Sequence, residues 1–94
     1  HPAYAESQPW RQAIRVMGRA LTRLFLQPSA SNHERALVAV DHAIARVQAT
    51  DEPFARHFDT SVLRRAQSYL HFIRSSLLDP QSPLAPAKGL HHAP

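Results

Sequence analysis

Seven histidines are the residues in this 94-residue chain best suited to metal or proton chemistry, and their spacing assembles no site. A two-histidine metal edge on a helix needs i,i+3 or i,i+4 spacing, which brings both rings to one face. No helical pair has that spacing. His33 and His42 are nine apart, and the adjacent His91 and His92 diverge in most backbones. Ser, His and Asp all occur, but no nucleophile elbow presents a serine on a strained strand-to-helix turn. Only two glycines exist, Gly18 and Gly89, so there is no Gly-rich loop to cradle a phosphate. Asp51 and Glu52 are adjacent and precede Pro53, which suits a turn better than an acid and base flanking a substrate. The residues therefore point away from an enzyme, a cofactor, a metal or a small-molecule substrate.

The arginines carry the stronger pattern. Arg11, Arg15, Arg19 and Arg23 recur every fourth residue, and no acid lies between Ser7 and His33. Like charges at i,i+4 on an isolated helix cost roughly 0.2–0.5 kcal/mol per pair, which a packed helix can carry. Three readings stand: a solvated face with aliphatic stems over the apolar edge, pairing with a polar seam of Glu34, Asp41 and Gln48, or phosphate binding. The first is favoured, with the arginines serving solubility and orientation of a partner. Nucleic-acid modules usually show more basic residues and a recognisable motif. A recognition helix opening on Asn32, His33 and Glu34 would offer a groove little positive charge, so no direct nucleic-acid contact is expected.

The elements that position these residues follow from composition and period. The chain has 11 basic and 7 acidic residues, a formal net charge of +4 and no cysteine. A thiol-free chain fits a cytoplasmic setting without disulfides. No apolar run reaches the roughly 18 residues of a membrane span, and the first residues do not read as a signal peptide. The eight prolines fall outside, or in the first turn of, three helix-periodic stretches. An all-α fold is predicted: a small three-helix bundle or helical hairpin over residues 1–78, with a Pro-rich C-terminal tail over 79–94.

The first helix is predicted over about 8–26, capped by Ser7, with Trp10, Ile14, Met17, Leu21, Leu24 and Phe25 on one arc and the four arginines opposite. The second is predicted over 32–49, opened by a Ser31–Glu34 capping box. Leu37, Val40, Ile44 and Val47 form its main stripe, and Val38, Ala45 and Ala49 a patch nearly opposite. Residues 51–58, with Phe54 and Phe58, form a connector. The third helix is predicted over 60–78. Leu63, Ala66, Leu70, Ile73 and Leu77 step by 3 and 4, with Val62 and Tyr69 alongside, and Phe72 and Leu78 fall on its polar side.

Such a chain carries more apolar side chains than one thin core needs, and an exposed remainder marks an interface. Val38, Phe72, Leu78 and Leu84, with Arg15 and Arg19, are the candidate protein-binding residues. The two-sided second helix and the third helix's seam also predict a homodimer.

The stretches His33–Val47 and Arg64–Arg74 resemble the QslA family, the small helical quorum-sensing antiactivators of pseudomonads, in size, helix layout and Arg/Ala-rich style. That resemblance implies a cytoplasmic, dimeric, non-enzymatic protein. It implies binding to the ligand-binding domain of a LuxR-type transcriptional activator such as LasR, disruption of that activator's dimer and loss of DNA binding. No membrane association is expected on this reading. The alternatives are a small nucleic-acid-binding regulator using the arginine stripe, a helical secretion chaperone, or a structural subunit.

Overall fold

The computed structural model describes residues 2–49 and 60–83, and the side chains of residues 10–49 and 63–83. Three helices run in order: α1 (Pro2–Leu26), α2 (Ala30–Gln48) and α3 (Thr60–Leu78). No strand occurs among the described residues, and the fold is a small all-α bundle as the periodicity predicts. The connector with Phe54 and Phe58, and residues 84–94 of the tail including Leu84, lie outside the described residues.

α1 starts earlier than its sequence suggests. Ser7 is inside the helix rather than its cap, and Pro9 sits past the first turn, where its missing N–H would otherwise reach residue 5. The turn to α2 is short, which makes α1 and α2 a helical hairpin. α2 is capped by Ser29, not Ser31. Ser29 has extended backbone angles, and its hydroxyl accepts from the Asn32 N–H at 3.0 Å. The Asn32 side chain then donates to the Gln27 carbonyl at 2.8 Å, which ties the turn to the new helix. The helix therefore opens two residues before the Ser31–Glu34 capping box that the sequence suggests. α3 stops at Leu78, and the Asp79 carboxylate accepts from the Gln81 N–H to start a turn.

The core shows which faces meet. α1 contributes Trp10, Ala13, Met17 and Leu24, and α3 contributes Leu70, Ile73 and Leu77. Between them α2 buries His33, Ala36, Val40, Ala43 and Val47, a run stepping by 3 and 4, with Ala39 beside it. This shifts the expected stripe by about one residue. Leu37 and Ile44 are only partly buried, while Ala36 and Ala43 are fully enclosed. Alanine lets backbones approach closely, so the small residues mark where α2 presses on its neighbours and the larger ones fill the flanks. The second patch on α2 is not covered: Val38 is 61% exposed, and Ala45 and Ala49 face outward. Phe25, expected in the core arc, is 75% exposed although its neighbour Leu24 is buried, because it lies about 100° round the helix from Leu24.

α1 and α3 each pack mainly against α2 rather than against one another. The result is drawn out, 54 × 20 × 16 Å. Its radius of gyration is 15.3 Å, against about 12 Å for a globular chain of this length. One buried polar contact fixes the stagger of α2 on α3. The His33 ring is 7% exposed, and its Nε2 lies 2.7 Å from the Leu77 carbonyl. A carbonyl only accepts, so Nε2 carries the proton and donates. Leu77 belongs to the last turn of α3, whose carbonyls have no partner within the helix, and His33 supplies one from across the bundle.

Leu70→Ala should cost about 2–4 kcal/mol in urea denaturation, because Leu70 is fully buried between helices. Ile44→Ala, at a half-buried site, should cost clearly less, and equal losses would put Ile44 in the core. His33→Ala should cost about 1–3 kcal/mol through the orphaned carbonyl. His33→Gln, whose amide can still donate, should recover part of that loss.

Candidate interaction surface

α1 buries one arc and exposes the other. With about 100° between successive residues, the buried arc is centred near Met17 and Leu24, and Arg11, Arg15, Arg19 and Arg23 fill the opposite arc. All four arginines are exposed. Leu26, 70% exposed, lies within the arginine arc, and Val16 and Phe25 flank it. The expected face is therefore present, but it is not purely polar.

Two concave features meet along this helix. On the outer face, Arg15, Arg19 and Arg23 wall a shallow open hollow that runs to Leu26 and Gln27. Gly18 and Thr22 line it, and a Cβ placed on Gly18 would meet nothing within 4 Å. The Thr22 hydroxyl is turned back to donate to the Gly18 carbonyl at 2.9 Å, leaving the hollow to the guanidinium groups. On the side toward α2, a groove is lined by Val16, Ala20 and Arg19 from α1 and by Arg35, Val38 and His42 from α2. Arg19 and Arg23 form the ridge shared by both features.

The candidate residues separate accordingly. Val38 and Arg19 come together in the groove, and Arg15 belongs to the neighbouring hollow. Phe72 and Leu78 are 69% and 46% exposed on α3 and line neither feature. Leu84 lies outside the described residues. Sequence reasoning placed Arg23 on the exposed arc without choosing it as a binding residue, and did not single out Arg35 or Leu26. It also placed Tyr69 along the seam, whereas Tyr69 is 61% exposed. The i,i+3 spacing of Tyr69 and Phe72 was the signal that both lie on one outward face.

The polar seam of α2 does not answer the arginines of α1. Asp41 instead accepts from Arg74 Nε of α3 at 2.8 Å. Both side chains are about half exposed, so the pair contributes at most about 1 kcal/mol. Glu34 sits at the edge of the groove that Arg19 and Arg23 line, without a described ion pair to either. No group of three metal-ligating side chains gathers among the described residues. No helix among them is long and apolar enough to cross a membrane.

The described residues thus form a helical bundle with an exposed cationic face along α1. The chain belongs to the fusaric acid resistance protein family, FUSC, whose model matches residues 1–84. It is 44% identical over 85 residues to the fusaric acid resistance protein FusD of Burkholderia cepacia. That match covers 89% of this chain and 41% of FusD, so the chain spans about two fifths of its relative's length. No solved structure matches.

Membership in the fusaric acid resistance family overturns the likeness to quorum-sensing antiactivators. The antiactivator role, the LuxR-type partner with its homodimer, the cytoplasmic location and the exclusion of a membrane fall with it. The readings as a nucleic-acid-binding regulator or a secretion chaperone gain no support either. The reason is plain in the residues. The likeness rested on size and Arg/Ala-rich style, which many amphipathic helices share, whereas the FusD match is 44% identity over 85 residues and the family match covers residues 1–84, which hold all three core stripes.

Proposed function

We propose that the chain is a non-enzymatic helical segment of a fusaric acid resistance protein and contributes a scaffold and a docking face to membrane-transport machinery for that organic acid. The observation that carries this reading is the extent of the likeness. The family match spans residues 1–84, and 44% identity to FusD holds over 85 residues. Every core position from Trp10 to Leu77 falls inside the family match. A segment whose whole core lies within the matched range would be exchangeable as a folded unit.

The surface agrees with a scaffold role. The described concave features are open and lined by arginines and small apolar residues. Specific small-molecule sites bury most of their ligand in an enclosed cleft. A shallow cationic face is suited to docking against another surface.

The test is a chimera in which this chain replaces the matching segment of FusD, expressed in a strain made sensitive by loss of FusD. Growth on fusaric acid should be restored, and fusaric acid recovered from the culture should be chemically unaltered by mass spectrometry. A folded chimera that leaves cells sensitive contradicts the scaffold reading. Conversion of the acid by the purified chain contradicts the non-enzymatic part.

A further inference from the structure

The arginine arc of α1 is not absorbed by packing, by ion pairs with α2 or by the family assignment. We propose that this face docks flat on an anionic phospholipid surface, with the guanidinium groups of Arg15, Arg19 and Arg23 on the headgroup phosphates and Phe25 and Leu26 entering the headgroup–acyl boundary. The choice of a membrane rests on the reading of the chain as part of membrane-transport machinery, while the face itself rests on geometry. The arginines recur at one-turn intervals, about 6 Å apart along the axis, and are exposed on the arc opposite the core. No acidic residue lies on α1 from Ser7 to its end at Leu26. No described acid pairs with Arg15, Arg19 or Arg23, and the one described interhelical salt bridge joins Asp41 to Arg74 instead.

Three further observations select a lipid surface. The hollow among the three arginines is shallow and open, and Gly18 leaves it without a side chain, so a phosphate can approach several guanidinium groups at once. Phe25 and Leu26 are the two most exposed large hydrophobic side chains described, and both lie at the C-terminal end of the cationic stretch. A basic face with apolar residues beside it is the composition of an interfacial helix, which binds by charge and shallow burial together. No described helix is suited to spanning a bilayer, so the contact is one of lying on the surface. A nucleic-acid duplex would use the arginines but gives Phe25 and Leu26 no apolar phase.

Near an anionic membrane each arginine contributes roughly fivefold in affinity. The experiment is sedimentation of the chain with vesicles of phosphatidylcholine containing phosphatidylglycerol, and with phosphatidylcholine alone, at physiological salt. Binding is expected only to the anionic vesicles. The triple variant R15Q/R19Q/R23Q should lose about a hundredfold. F25S/L26S should weaken binding while keeping its salt dependence. All of these sites are exposed, and circular dichroism should show unchanged helicity in each variant. Equal binding to neutral vesicles, or undiminished binding by the triple variant, overturns the proposal. So does displacement by millimolar inorganic phosphate, which would make the hollow a free-anion site. Preferential retention by duplex DNA in a competition with the anionic vesicles overturns it in favour of a nucleic-acid face. The growth test of the chimera can fail while the vesicle result stands, and the reverse, so the two readings are separable.

Discussion

The close approach that alanine permits along α2 is the constraint on which the rest of the bundle depends. Ala36 and Ala43 are fully enclosed, with Ala39 beside them, and Val40 and Val47 lock the same side. Small side chains shorten the distance between helix axes and trade transfer energy for dispersion contact between backbones. Because α1 and α3 each lean on α2, that helix decides where both neighbours point. The outward direction of the arginine arc is a consequence. Once Met17 and Leu24 are seated against α2, Arg15, Arg19 and Arg23 have no choice but the opposite side.

The His33–Leu77 hydrogen bond adds register to this packing. Apolar stripes stepping by 3 and 4 would tolerate a slide of one turn along their axes, since each step presents a similar side chain. A donor at the start of α2 that must meet a carbonyl at the end of α3 does not tolerate it. A buried donor and acceptor left apart would each forgo a partner, which is why polar contacts in a thin core specify arrangement more than they add stability. The Arg74–Asp41 pair, further along the same two helices, repeats the stagger at the surface with a smaller contribution.

Much of this was legible in the residues. Three helical periods and the separation of arginines from the α1 core stripe follow from spacing alone, and the seam of Leu70, Ile73 and Leu77 was visible as heptad steps, whereas Pro9 misplaced the start of α1. What was not legible has physical causes. Alanine ranks low as an apolar signal, so the α2 stripe was drawn through Leu37 and Ile44 although the tighter contact runs through Ala36 and Ala43. His33 was weighed as a ligand candidate. Its position three before Ala36 and seven before Val40 was the clue that it belongs to the buried run. The Ser31–Glu34 spacing fits a capping box, but the helix begins at Ala30 and Ser29 caps it. Val38 and Phe72 were correctly placed off the core stripes, but nothing in their spacing says what would cover them. Function was the least legible: the arginine stripe was visible from the start, yet the family emerged only from residue-level likeness to FusD.

The account makes α2 the element that holds the other two, and native-state amide hydrogen exchange measures this directly. The amides of residues 36–47 should be the slowest in the chain. Those of α1 should exchange through a separate opening that leaves the α2–α3 contact intact. If α2 amides instead exchange as fast as those of α1, or if α1 and α3 remain protected while α2 opens, then α2 is not the organising helix and the outward placement of the arginine face has lost its cause.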